Sequence, residues 1–288
     1  MGYEDINQKR SSFWIRVYEN DDSLTFLTNE HTYNLIDIFY PEIEELSPKN
    51  WSRTSTGNYS LWIPEDRIEQ DIIEDFIGWA KNANQHIWLQ LNKNIEDYFS
   101  DELNFCLAYD WNIDFSTGNR TTVGEAEYQI KYRYSNGHIT KKDADSYAEV
   151  LSDALLCCCK YLPIQSKDNL LVTTIPATVE NQNKLSWGMA HYIQREYGGH
   201  FLAATLHKQK PQIKALDVEK RIETWEEIYE QDRVDLSISV AGKTVLIVDD
   251  LYQSGATMWH YARYLKNVGA QKVVGLVSVK AQKDRGNI

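Results

Sequence analysis

The chain has 288 residues, 42% hydrophobic and 12% aromatic, enough apolar material to pack one large domain or two ordinary ones. Its apolar runs, such as Thr244 to Val248 and Leu170 to Val172, fall far short of the roughly 20 residues a membrane-spanning helix needs. Met1, Gly2, Tyr3, Glu4 and Asp5 lack the basic and apolar regions of a secretory signal, so a cytoplasmic protein with no membrane partner is expected.

The net charge of −12 is unevenly spread. Residues 1–120 hold 22 Asp/Glu against 9 Lys/Arg, and residues 121–288 hold 20 against 21. The acidic part would repel nucleic acid and suits a basic protein partner, or simply solubility. Cys106 stands alone and Cys157, Cys158 and Cys159 are adjacent, which on a helix fans them about 100° apart. Without C-x-x-C or H-x-x-x-H spacing, reduced structural thiols are expected and a zinc site is not.

In chain order, Phe13 to Tyr18 alternates like a strand, Asp66 to Ala80 places Ile68, Ile72, Phe76 and Trp79 at helical spacing, and Ile87 to Leu91 reads as a strand. Trp14, Trp51, Trp62, Trp79, Trp88 and Trp111 enrich this α+β region. Some could stack on a base, but large aromatics more often form core. The turn chemistry of Phe115, Ser116, Thr117, Gly118 and Asn119, with the change in charge around it, sets a predicted domain boundary near residue 120.

Beyond it, Tyr128, Ile130, Tyr132 and Tyr134 share one face of a predicted strand, with Gln129, Lys131 and Arg133 on the other. Such interleaving can bind single-stranded nucleic acid, but a sheet with one packed face accounts for it more simply. Then follow a helix from Asp145 to Tyr161, a strand through Leu170 to Ile175, a helix from Lys184 to Tyr197, and a strand from Phe201 to Thr205. A basic, irregular stretch runs from His207 to Arg221. Strands at Val234 to Val240 and Lys243 to Val248, a helix from Ala256 to Val268 and a strand from Lys272 to Val279 complete the chain. Alternating strands and helices predict an α/β domain over 121–288, its mainly parallel, twisted sheet covered by helices on both faces.

The chemistry concentrates between Lys243 and Trp259. An apolar, β-branched strand runs into Asp249 and Asp250 at the carboxyl edge, where open α/β sheets bind ligands. Gly255 then opens a helix with Met258, Ala262 and Leu265 on its buried stripe. The peptide N–H groups of Gln253 to Thr257, which include Ala256, would face outward at the positive end of the helix dipole and attract an anion, with the Ser254 and Thr257 hydroxyls adding hydrogen bonds. Two carboxylates one turn away suit a vicinal diol. Anion cradle and diol clamp together describe a ribose 5-phosphate.

These residues resemble the fingerprint of type I phosphoribosyltransferases, in which an acidic pair, two apolar residues and two variable positions precede Gly-x-Thr: here Asp249, Asp250, Leu251, Tyr252, Gln253, Ser254, Gly255, Ala256 and Thr257. Ile130-Lys131-Tyr132 and the basic stretch with Lys208, Lys210, Gln212 and Arg221 are similar to the ComF-like branch, covering about residues 121 to 283. That branch's zinc-binding cysteines are missing, and its Arg-Gly-x-Asn gives way to the neighbourhood of Asn181, Gln182, Asn183 and Lys184.

The resemblance implies binding of 5-phosphoribosyl-1-pyrophosphate or a nucleotide with Mg²⁺, and transfer of the phosphoribosyl group through an oxocarbenium-like sugar. The cradle and acidic pair would hold the ribose and its phosphate, Lys208, Lys210 and Arg221 would close over the pyrophosphate, and backbone at Ala177 and Thr178 would line the opposite side; no protein ligand to the metal is assigned. The family's hypoxanthine/guanine branch has an aspartate where Gln253 stands. Gln253 cannot act as a base, so a 6-oxopurine salvage enzyme is disfavoured. The acceptor-binding hood is expected from residues 1–120, and relatives suggest a homodimer.

Two other readings keep the same fold. One is an effector of a bacterial anti-phage system of the retron type, acting on nucleotides or nucleic acid beside a reverse transcriptase. The other is a non-catalytic, nucleotide-sensing interaction protein with a partner on its acidic N-terminal region.

Overall fold

The computed structural model describes residues 2–90, 102–177, 185–207, 218–229 and 234–282. They fall into two compact units, 1–89 and 90–288. None of the described helices is long and apolar enough to cross a membrane.

The first unit is built on a five-stranded antiparallel sheet of β1 (Gly2–Asn7), β2 (Trp14–Asn20), β3 (Ser23–Thr28), β4 (Ser52–Arg53) and β5 (Tyr59–Pro64), in the order β1-β2-β3-β5-β4. Helix α1 (Glu30–Phe39) starts where the Asn29 side chain accepts the Thr32 N–H at 2.8 Å. A short α2 (Glu42–Glu45), α3 (Gln70–Ala83) and β6 (Ile87–Leu89) follow. Period-2 burial along β2 and β3 and helical spacing along α3 bring Phe13, Phe26 and Phe76 into one core. Phe26 meets Phe76 edge-on at 5.2 Å, and Phe13 packs on both Trp79 and Trp88. Trp88 is fully buried and donates its indole N–H to the Ala83 carbonyl at 3.1 Å. Of the tryptophans here Trp88 is core, Trp14, Trp51 and Trp79 are half-buried, and Trp62 is exposed.

The second unit carries a parallel sheet whose order is β7 (Phe105–Trp111), β13 (Lys272–Lys280), β12 (Thr244–Tyr252), β8 (Leu170–Thr174), β9 (His200–Phe201). β12 lies in the middle, and Val245 to Val248 are wholly inaccessible, as an uninterrupted apolar run requires of a parallel strand. Helices α4 (Thr122–Tyr128), α5 (Lys141–Cys158) and α6 (Leu185–Tyr197) cover one face. On the other, α8 (Ala256–Asn267) packs against β13, with α7 (Val218–Ile228) against α8. Two β13 residues an odd number of positions apart show the two faces: Gly275 lies against Met258 of α8, while the Ser278 hydroxyl donates to the Leu151 carbonyl of α5. A small antiparallel ribbon, β10 (Ala204–Leu206) with β11 (Val234–Leu236), completes the unit. The α/β expectation agrees with this sheet and its two helical layers.

A methyl group on Gly275 would sit 2.6 Å from Met258 Sδ and 2.7 Å from Cys106 Sγ. Gly275→Ala should therefore destabilise the protein by about 1–3 kcal/mol through overpacking, read as a lower midpoint in urea with an unchanged slope.

Three expectations are corrected. The boundary lies near residue 90 rather than 120, because β7 pairs along its length with β13: Phe105 faces Val274 and Trp111 faces Lys280. The segment read as a strand from Tyr128 to Tyr134 is helical. Thr121 caps α4 by accepting the Gly124 N–H at 3.1 Å, and α4 continues into a π-helical turn, Gln129–Tyr134. Alternating aromatic and basic residues thus mark a helix with exposed tyrosines: Tyr132 is 55% and Tyr134 41% accessible. Finally, the stretch to Arg221 is not irregular throughout, since α7 begins at Val218. Smaller shifts have local causes. Helix α5 starts at Lys141, four residues before the expected start, because Thr140 and Asp143 form a reciprocal capping box.

Candidate functional site

β12 does not stop at Val248. It runs through Asp249 and Asp250 to Tyr252, held by pairing with β13 as far as Tyr252 to Lys280. Its partner β8 ends at Thr174, opposite Val248. The two carboxylates thus stand where the strand has lost one neighbour, half-buried at the carboxyl edge of the sheet.

Neighbouring side chains on a strand start toward opposite faces. Asp250 meets Lys131 of the π-helical turn, whose Nζ lies 2.6 Å from Asp250 Oδ2 and 3.1 Å from Glu127 Oε1. Asp249 has Tyr229 on its side, and its Oδ1 accepts the Asp250 N–H at 3.0 Å. Burial first, and then the neighbouring Asp250 charge, push the Asp249 carboxyl up to about 8, with Lys131 drawing it back in part. Asp249 thus holds its proton more tightly than an ordinary carboxyl.

A carboxyl whose proton is held more tightly in the folded state stabilises the protein at low pH and loses that contribution as pH rises toward 8. The neutral buried histidines His31 and His260, lowered to about 4 and about 3 mainly by burial, act in the opposite sense only as pH falls below about 6.5. Thermal stability should consequently decline between pH 7 and 8.5, and Asp249→Asn should flatten that decline; an equally steep decline in the variant would contradict the assignment.

Past Tyr252 the chain needs only Gln253 and Ser254 before Gly255 takes a left-handed conformation (φ +78°) and starts α8. Gly255 carries no capping side chain, and the first intrahelical bond is from the Trp259 N–H to the Gly255 carbonyl at 3.0 Å. The amides of Ala256, Thr257 and Met258 precede that ladder at the positive end of a 12-residue helix. Ser254 through Thr257 are half-exposed, whereas Met258 to Ala262 are buried. The glycine is required here on two counts: a side chain at its Cα would run into the Tyr252 phenol and come within 2.9 Å of the Trp259 ring.

The same edge holds a residue that motif reading passed over. Lys280, the last residue of β13, is 4% accessible and donates from Nζ to the Gln253 carbonyl at 3.1 Å and to the Ala281 carbonyl at 3.2 Å. Its ammonium lies 5.7 Å from the Trp111 ring centre and 5.2 Å from that of Tyr252. The available signal was a lysine ending an otherwise apolar strand.

Asp249 and Asp250 thus lie at the end of β12, Gln253 and Ser254 in the loop after it, and Gly255, Ala256 and Thr257 at the start of α8. Ala177 is buried on the other side of β8, where its carbonyl accepts the Leu206 N–H at 3.0 Å. Thr178, Lys208 and Lys210 lie outside the described residues, as do Gln212 and the run from Asn181 to Lys184. Arg221 is on α7, its side chain also outside the description.

A bound Mg²⁺ keeps most of its waters and takes one or two carboxylates besides substrate phosphates. Asp250 is tied to Lys131, and the described residues contain no group of three His, Cys, Asp or Glu able to hold a metal. They do not form a resident metal site.

Residues 200–288 match the family model described as the phosphoribosyl transferase domain. No curated protein matches the chain significantly. Among solved structures it is similar to a hypoxanthine phosphoribosyltransferase from Staphylococcus aureus, with 14% identity, 49% of this chain and 71% of that chain covered, and a TM-score of 0.27. The motif and the family model carry the comparison, not this loose superposition. The segment holding the acidic pair and the glycine-opened helix is thus the part of the chain that matches a phosphoribosyl transferase domain.

Proposed function

We propose that the second unit binds 5-phosphoribosyl-1-pyrophosphate, or a nucleotide, and transfers or cleaves its phosphoribosyl group. The observation that carries this reading is the join of β12 to α8, where an acidic pair and an uncapped helix start follow one another at the carboxyl edge of the sheet, inside the region matching the phosphoribosyl transferase model. The amides of Ala256, Thr257 and Met258 would receive the 5-phosphate and the Asp249–Asp250 pair the ribose hydroxyls.

In the transfer, the bond from the anomeric carbon to pyrophosphate breaks, its electron pair leaving with pyrophosphate, while the acceptor's lone pair forms the new bond. Positioning and charge complementarity are what the protein contributes. Mg²⁺ in this reading arrives on the pyrophosphate as part of the substrate. The cations Lys208, Lys210 and Arg221 and the backbone of Ala177 and Thr178 are proposed for the pyrophosphate side.

Gln253 brings no titratable group, so an acceptor that needs deprotonation must lose its proton elsewhere. The ComF-like affinity, the acceptor hood from the N-terminal residues, the cytoplasmic location, the homodimer and the anti-phage effector role are parts of the proposal that rest on the sequence resemblance.

Calorimetric titration of the full chain with Mg²⁺ and phosphoribosyl pyrophosphate tests it. Saturable heat with one site per chain is expected, and no heat with either phosphoribosyl pyrophosphate or a nucleoside monophosphate would contradict it.

A further inference from the structure

We infer that Lys131 is the positioning residue of the acidic pair: from the π-helical turn it holds the Asp250 carboxylate in place for a ribose diol and separates the charges of Asp250 and Asp249. The inference rests on the phosphoribosyl reading above and assigns work within that site to a side chain remote from it in sequence.

The geometry is that of a clamp. Lys131 Nζ bridges Asp250 at 2.6 Å and Glu127 at 3.1 Å, and the carboxylates are 14% and 8% accessible while the lysine is one-third exposed. Glu127 lies one helical turn before Lys131, so it steadies the ammonium from behind and leaves its front to Asp250. The segment that delivers it, Gln129–Tyr134, is a π-helical turn, an infrequent conformation that concentrates at functional positions.

A structural role alone explains this poorly. A sequestered ion pair contributes little net stability and is often replaceable by apolar side chains, whereas losing one partner leaves an uncompensated charge. Here two acids and one base remain at a strand end beside the proposed sugar site. The groups facing Asp249 are Asp250 on its own strand, Lys131 from the π-helical turn and Tyr229 after α7; those around Lys131 are Asp250 and Glu127. Lys131 is thus the one cation shown acting on both aspartates among the described residues, and it draws the raised Asp249 carboxyl downward.

The experiment compares the wild type, Lys131→Met and Lys131→Arg, with Lys131→Gln as the neutral variant if the methionine protein does not fold. In the ligand-free proteins, the Asp249 carboxyl is followed by ¹³C NMR through a pH titration; its midpoint should move upward in the neutral variant and return in Lys131→Arg. With Mg²⁺ and phosphoribosyl pyrophosphate, the neutral variant should bind at least about tenfold more weakly, the loss of one charged hydrogen bond, and Lys131→Arg should recover most of it. An unmoved midpoint, or unchanged affinity in a folded neutral variant, overturns the inference. Absence of binding by the wild type overturns the phosphoribosyl reading instead, and the ligand-free titration still decides whether Lys131 governs the pair.

Discussion

Replacing Asp249 and Asp250 together by alanine is expected to weaken binding of phosphoribosyl pyrophosphate by about a hundredfold while leaving the fold intact. Each carboxyl group would make at least one hydrogen bond to the sugar; that of the Asp250 carboxylate is charge-assisted and contributes about 1.5–3 kcal/mol, and that of Asp249, whose proton is held more tightly, about 0.5–1.5 kcal/mol. The fold should survive because β12 is secured by Val245 to Val248, which are fully inaccessible, and not by its acidic end. The single variants should differ. Asp250→Ala removes the partner of Lys131 at 2.6 Å and leaves that ammonium with Glu127 alone. Asp249→Asn should be milder than Asp249→Ala, since a carboxyl that holds its proton more tightly than usual is imitated by an amide that can still donate. Calorimetry on the four proteins, with circular dichroism as the control for folding, measures this; undiminished binding in the double variant would remove the pair from the site.

The second large effect belongs to Gly255. Its φ of +78° costs a side chain about 1–2 kcal/mol, and a methyl group would also run into the Tyr252 phenol and approach the Trp259 ring to 2.9 Å. Met258, Trp259 and Tyr261 are anchored in the core, so α8 cannot easily yield, and the loop must deform instead. Gly255→Ala should therefore lower the unfolding midpoint and abolish detectable phosphoribosyl binding, because the first-turn amides would no longer converge. Adding Tyr252→Leu relieves the collision with the phenol but not the backbone strain, so the double variant should regain stability only in part. Full recovery would show that the positive φ is immaterial.

Much of this site was legible because its chemistry is contiguous. Nine residues from Asp249 to Thr257 hold the strand end, the acidic pair and the helix start, and each follows from a local rule about β-branched runs, glycine or unpaired amides. The parallel sheet was legible for the same reason, since its strands are short apolar runs separated by helical periods. What escaped is non-local. Phe105 joins the sheet by pairing with Val274, 169 positions later, and no pattern within residues 90–120 announces it. Lys131 and Lys280 act through partners far away in the chain, Asp250 and Gln253. The Tyr128–Tyr134 segment misled because a period of two in side-chain type is not a period of two in burial; the Thr121 cap decides for helix. The basic residues assigned to pyrophosphate remain a proposal resting on the resemblance.

Lys280 bears on the same loop from below. A nearly inaccessible ammonium that holds the Gln253 carbonyl at 3.1 Å fixes the peptide from which the loop departs. Asp250 is thus held from the π-helical turn and the loop from β13.

The central claim is that helix-start amides after Gly255 hold a phosphate while the acidic pair holds its sugar. Titrating ¹³C,¹⁵N-labelled protein with ribose 5-phosphate tests it most directly: the amide signals of Ala256, Thr257 and Met258 should shift in a saturable manner together with the carboxyl signals of Asp249 and Asp250. Saturable shifts elsewhere in the second unit, with these five groups unmoved, would contradict it.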